Sequence, residues 1–306
     1  MLSRGVRALA TSAGARRSMS PGSIAATVGL VGGAVVAFGG YALTDARSPI
    51  LGSVVMPAIR MLDPESSHHL AIWLAAHNLA PRDRRPDDEI LKTTVFGREF
   101  SNPVGLAAGF DKQAEAMDNL LQMGFGFVEI GSVTPLPQPG NPKPRMFRLS
   151  EDNAVINRYG FNSDGIEPVK VRLAKWDARE GRPAGLVGVN LGKNKTQTDA
   201  KADYERGLIE LAEFADYVVI NVSSPNTPGL RALQSRDELD ALVAHLQSVR
   251  KTDVPLLLKI APDLNDEDKR DIASVALARK LSGLIVSNTT STLSAVYPLC
   301  VLQQWC

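Results

Sequence analysis

At 306 residues, 44% hydrophobic and 22% charged, the chain can bury one large core or two small ones. Its 34 Lys and Arg against 33 Asp and Glu leave a formal charge of +1, so no global field would recruit nucleic acid, and small ligands held by local contacts fit better. Both cysteines, Cys300 and Cys306, sit within the last seven residues, which supports neither a disulfide framework nor a cysteine metal site, and no metal is expected.

The first forty-odd residues stand apart from the globular part. Residues 1–20 carry Arg4, Arg7, Arg16 and Arg17 among serines and alanines with no acid, the composition of a mitochondrial targeting segment. From Ser18 to Thr44 no residue is charged. Residues 24–43 supply the ~20 residues that a helix rising ~1.5 Å per residue needs to cross a bilayer core, so a transmembrane helix is expected there. With the arginines on the matrix side, the positive-inside rule places everything after Asp45 on the intermembrane-space side of the mitochondrial inner membrane.

Residues 48–80 read as a helical, membrane-associated section. Ile50, Leu51, Val54, Val55, Ala58, Ile59 and Leu62 fall at helical spacing. Asp63-Pro64-Glu65 then offers an N-cap, a first-turn proline and an acid for a second helix bearing Leu70, Trp73 and Leu74. Periodicity leaves two arrangements open: apolar faces laid into the membrane interface, or packing on the domain.

From about Lys92 the rhythm becomes strand, loop, helix. Short, nearly continuous apolar runs at 104–108, 127–133, 186–191, 217–222, 256–260 and 284–286 suit strands buried on both faces. Helical patterns at 114–123, 236–249 and 266–281 lie among them, and segments 92–100 and 146–159 read as added hairpins. Such alternation implies right-handed crossovers and a parallel sheet. Almost every strand ends in a chemically loaded loop, from Gly109-Phe110-Asp111-Lys112 to Asn288-Thr289-Thr290. A ring of strands aimed at one mouth explains that distribution, whereas an open sheet loads mainly its switch point, so a (β/α)8 TIM-barrel lineage is expected. No G-x-G-x-x-G follows a first strand, which argues against a nicotinamide-binding domain. The richest loop is Asn221 to Gly229, where a strand opens into adjacent serines, two carboxamides and two prolines.

Six segments carry a resemblance: SNPVGLAAGFDK (101–112), GFGFVEIGSVTP (124–135), NRYGFN (157–162), VNLGKNK (189–195), NVSSPNTPGL (221–230) and KIAPDL (259–264). In this order they resemble the class 2, quinone-linked, mitochondrial dihydroorotate dehydrogenases. The resemblance implies oxidation of dihydroorotate to orotate in pyrimidine (UMP) biosynthesis, with FMN as cofactor and ubiquinone as electron acceptor. A base takes the C5 proton while hydride passes from C6 to the flavin.

By resemblance the base is Ser224. The substrate contacts are Lys112, Asn157, Arg158, Tyr159, Gly160, Phe161, Asn221, Asn226, Asn288 and Thr289. The FMN contacts are Ala107, Ala108, Gly109, Lys112, Ser132, Asn190, Asn221, Lys259 and Ser287, and the quinone residues are His68 and Arg148. The residue types suit these tasks: a carboxamide offers donors and an acceptor to the edges of a pyrimidine ring, and Ala-Ala-Gly has no bulk to hold a flat ring off the backbone. A serine is a weak base at its ordinary pKa and needs an activating environment.

After Thr290 the resemblance stops. Residues 291–306 (STLSAVYPLCVLQQWC) contain no glycine, where the family continues with two further strands whose glycine-rich ends hold the FMN phosphate. A partial barrel of six strands is therefore expected over residues 92–290, followed by a divergent tail. The alternative to a working enzyme is an inactive, truncated, membrane-tethered fragment lacking the phosphate site.

Overall fold

The computed structural model describes residues 40–41 and 43–291; the expected targeting segment, nearly all of the expected membrane span and the tail from residue 292 lie outside the described residues. The chain divides into two compact units, residues 1–43 and 44–306. In the first, positions 40, 41 and 43 are helical. Among the described residues no helix is long and apolar enough to cross a membrane.

The second unit begins with a π-helical turn, Leu51–Val55, that runs into α1 (Met56–Arg60), followed by α2 (Pro64–Ala76). Asp63 caps α2 as its sequence promised: its carboxylate accepts the amides of Glu65 and Ser66, both at 3.0 Å. The π-helical turn and α1 bury no residue. Helix α2 buries Glu65, Ser67, Ile72 and Ala75 and turns Leu70 and Trp73 outward, Trp73 being 52% exposed. The packed face is thus not the one marked by the largest apolar residues. A charge, Glu65, lies on it because a cationic partner waits there.

A hairpin of β1 (Thr93–Val95) and β2 (Arg98–Phe100) turns at Phe96 and Gly97, both in the left-handed region that a tight hairpin demands. Then come β3 (Gly105–Leu106) and β4 (Phe127–Val133), a second hairpin of β5 (Met146–Leu149) and β6 (Ala154–Asn157), and finally β7 (Leu186–Leu191), β8 (Tyr217–Asn221), β9 (Leu256–Ile260) and β10 (Gly283–Val286). Among the described residues, β3, β4, β7, β8, β9 and β10 form one parallel sheet in which each strand lies beside the next in the chain. A doubly wound sheet would reverse its order at a switch point; unbroken sequential order is barrel winding.

Among the described residues, five helices pack against this sheet: α3 (Met117–Gln122), α4 (Ile166–Asp177), α5 (Ala200–Leu211), α6 (Arg236–Val249) and α7 (Asp266–Ala278). Leu173, Leu208, Leu239 and Leu246 reach 0–1% exposure against Val128, Val187, Val218 and Leu258 at 0%. Each such side chain contributes about 1.5–3 kcal/mol by leaving water. Helix α3 starts three residues later than periodicity suggests, because the buried Asp111 carboxylate captures the amides of Glu115 (2.9 Å) and Ala116 (2.8 Å) and Ala114 takes a φ of +58°. Helix α7 stops at Ala278, short of the expected Leu281, with Lys280 at a φ of +50°. Strands β7, β8 and β9 are buried almost throughout, whereas β3 and β10 are the edges among the described residues, with Val286 76% exposed.

Candidate active site

The carboxyl ends of the strands meet at a mouth lined by Ala108, Gly109, Lys112, Ser132, Asn157, Tyr159, Gly160, Phe161, Asn162, Asn221, Ser224, Pro225, Asn226, Lys259, Asn288 and Thr289. The cavity volume there is about 90 Å³, below the ~300–1,000 Å³ usual for small-molecule sites. Its floor is a network of carboxamides and hydroxyls anchored on Glu129. Asn190 Nδ2 donates to Glu129 Oε1 (2.8 Å), and Asn190 Oδ1 accepts from Asn221 Nδ2 (3.0 Å) and from the Ser132 hydroxyl. Asn221 Nδ2 also donates to Ser132 Oγ (3.0 Å), and Asn221 Oδ1 accepts from Ser223 Oγ (2.7 Å). Ser223 Oγ accepts in turn from Asn288 Nδ2 at 2.9 Å. Four strand ends are thereby tied together, with each amide's direction fixed by its neighbour. At Gly131 a Cβ would lie 2.5 Å from Asn190 O, so the close approach of β4 to β7 beneath this network requires glycine.

Ser224 is 6% exposed and lines the cavity. Its Oγ accepts the Asn226 amide at 3.3 Å, a donor that stabilises negative charge on that oxygen. No histidine lines the cavity among the described residues, so this amide is the protein donor on the hydroxyl. Asn226 Nδ2 donates to Asn157 O (3.2 Å), pinning the β8 loop to the end of β6.

The cationic side of the mouth is Lys112. Its Nζ stands 3.6 Å from the centroid of the Tyr159 ring, and the Arg145 guanidinium approaches the same ring at 4.5 Å. Burial pushes the Lys112 ammonium down to about 8, helped by Arg145 and opposed by Glu65. Arg145 is buried and donates to both Glu65 oxygens, at 2.7 and 3.3 Å, while Lys143 reaches Glu65 at 3.2 Å. Burial alone would raise the Glu65 carboxyl, but the bonds from Arg145 and Lys143 outweigh it and hold it at about 2. Tyr159 Oη is buried with no hydrogen-bond partner among the described residues.

The opposite side carries Ser132 and Lys259. Lys259 is 6% exposed and makes no hydrogen bond among the described residues; the nearby Glu129 carboxyl, pushed up by burial and pulled back by Lys259, balances its charge. Glu129 escaped the sequence reading, although a lone acid inside the apolar run Phe127-Val-Glu-Ile130 was the signal that would have found it. Ser223, Asn162 and Tyr204 were also missed as site residues; Tyr204 Oη donates to Asn221 O at 2.7 Å.

Several expected residues stand outside the lining. Asn190 lies just beneath it, within the network. Ala107 adjoins Ala108 and is exposed. Ser287 Oγ donates to Asn288 O (3.1 Å), and the Arg158 guanidinium rests 5.3 Å from the Phe147 ring. His68 Nε2 donates to Phe110 O (2.7 Å), which leaves Nδ1 as the acceptor; burial lowers its pKa and keeps the ring neutral. Arg148 donates to Arg60 O (2.9 Å), Leu62 O (2.7 Å) and Ser67 Oγ (3.0 Å), fastening the turn between α1 and α2 to the β5–β6 hairpin.

The profile of the dihydroorotate dehydrogenase family matches residues 90–297. The mouse mitochondrial quinone dihydroorotate dehydrogenase is 49% identical over 273 residues, covering 85% of this chain and 68% of the mouse protein. The chain belongs to the quinone-dependent dihydroorotate dehydrogenase family. Other relatives agree: the rice mitochondrial quinone enzyme is 50% identical, covering 84% of this chain and 62% of its own, and the Rhodospirillum rubrum quinone enzyme is 56% identical, covering 76% and 64%. The crystal structure of Eimeria tenella dihydroorotate dehydrogenase in complex with ferulenol superposes with a TM-score of 0.72 at 48% identity, covering 76% of this chain and 68% of that one. The chain therefore spans somewhat under two thirds of the rice and Rhodospirillum relatives.

Proposed function

We propose that this mouth oxidises dihydroorotate to orotate in pyrimidine biosynthesis, with FMN as resident cofactor and ubiquinone as final acceptor. The observation that carries the reading is a single cavity lined by Ser224, Lys112, Lys259 and the carboxamides of Asn157, Asn221, Asn226 and Asn288. The residues present suit a flavin ring: Ala108 and Gly109 leave the lining without bulk, and the buried Lys259 ammonium, which makes no hydrogen bond among the described residues, forms with Ser132 a donor set for an electron-rich heterocycle edge. When bound, FMN supplies a hydride acceptor.

The chain's own residues supply the rest. Lys112 attracts the substrate carboxylate, and the carboxamides read the ring's amide and imide edges without charge. Ser224 Oγ takes the C5 proton, the Asn226 amide holding charge on that oxygen. Ser224→Ala should leave flavin and orotate binding in place and slow flavin reduction by dihydroorotate by about 10²-fold or more; an unchanged rate removes Ser224 from this role.

We further place the chain at the mitochondrial inner membrane, with residues 24–43 as a single span, α1 and α2 against the lipid, and His68 and Arg148 on the quinone side. The outward Val54, Met56, Met61 and Trp73 support the lipid contact. Protection of the second unit from protease added to mitoplasts would contradict the intermembrane-space orientation. The outer edges of β3 and β10, unpaired among the described residues, favour one second reading: a membrane-tethered fragment without activity. A preparation that retains no flavin would decide for it.

A further inference from the structure

Arg231 does not line the cavity, yet its polar contacts go to the loops that do. Its Nε donates to Ser223 O (3.0 Å), the carbonyl of the peptide that leads into Ser224. Nη2 donates to Thr289 O (3.2 Å), and Nη1 donates to Asp263 Oδ2 (2.8 Å) and Ser291 Oγ (3.1 Å). Asp263 also accepts the Ser291 amide (2.9 Å) and the Thr290 hydroxyl. Burial would raise the Asp263 carboxyl, but these bonds hold it well below the usual carboxylate range. The loops following β8, β9 and β10 thus converge on one guanidinium, whose side chain is 24% exposed against 16% for Asp263.

We propose that Arg231 is a positioning residue that sets the Ser224 loop against the Asn288–Thr289 loop. The inference rests on reading those two loops as the substrate site. Across the cavity floor they are joined by the bond from Asn288 Nδ2 to Ser223 Oγ. Arg231 ties the same two loops through their backbone carbonyls, so the second clasp does not depend on the rotamers of Ser223 and Thr289. A guanidinium suits this because its donors diverge in a fixed plane. A lysine ammonium at the same place keeps the charge toward Asp263 but is a single point that cannot serve both carbonyls.

The test is hydrogen exchange on the full chain, followed in peptides covering residues 222–230 and 287–291. In Arg231→Lys both peptides should exchange about tenfold faster, with α4 and α5 unchanged and the thermal midpoint moved by only a few degrees. Methylguanidinium added to Arg231→Ala should restore both peptides together. Asp263→Asn leaves both carbonyl contacts possible and should loosen them less than Arg231→Lys. Faster exchange confined to 287–291, or a larger effect from Asp263→Asn, would overturn the proposal. Orotate affinity should fall about tenfold in Arg231→Lys, at a temperature well below that slightly shifted thermal midpoint. If the unaltered chain binds no orotate, the functional reading fails while the exchange experiment still decides the role of Arg231.

Discussion

The mouth above β8 and the helix pair α1–α2 are built on opposite principles. In the mouth, neutral carboxamides and hydroxyls hold one another at 2.7–3.0 Å, and the two lysines stand at its sides without a carboxylate in hydrogen-bond contact. The helix pair is fastened to the β5–β6 region by charge, through Glu65 to Arg145 and Lys143 and through Arg148 to backbone carbonyls, while Val54, Met56, Met61 and Trp73 face outward. The difference teaches how each responds to change. Apart from Glu129, a network of carboxamides and hydroxyls has nothing to titrate and fixes direction; an ionic clasp is strong only while both partners keep their charge.

The largest expected effect breaks the clasp. Glu65→Gln leaves the buried Arg145 without its carboxylate and should destabilise docking of α2 by about 3–5 kcal/mol, seen as rapid proteolysis within residues 48–80. Acid should do the same. The folded carboxyl titrates near 2, below its ordinary 4.5, so its contribution is complete above 4.5 and is lost as pH falls through about 2. That loss amounts to about 3 kcal/mol. Equal proteolysis of Glu65→Gln and the unaltered chain would show that the Glu65 clasp does not hold the helices.

A smaller effect sharpens the comparison, because Arg145 touches both regions through the Tyr159 ring. Lys112 gives up its proton near 8, so orotate affinity should fall by up to about tenfold per pH unit above that value. Arg145→Gln removes a neighbouring positive charge, raises the Lys112 value and should shift the fall to higher pH. Titrations of the two proteins that overlay would disconnect Arg145 from Lys112.

Much of the mouth was legible in the sequence because strand ends, carboxamides and lysines recur there in order. The six strands and both hairpins follow from apolar runs and turn chemistry, and the lining follows from segments that resemble one family. Helices α4 and α5 went unnamed, since Ile166–Asp177 and Ala200–Leu211 carry many charges and bury only a narrow stripe. Which face of α2 packs was left open by periodicity for a physical reason: Leu70 and Trp73 dominate its hydrophobicity, but packing follows Glu65 to a partner 80 residues away. Arg231 and Glu129 act through other residues, and their meaning appears only when loops from different strands come together.

The most direct test of the central claim is the absorbance spectrum of the purified chain as dihydroorotate is added without air. The account predicts bound flavin in stoichiometric amount that bleaches on addition of dihydroorotate and recovers its colour with a soluble ubiquinone. Flavin that is bound but not bleached, or a colourless chain that binds no orotate, would contradict it.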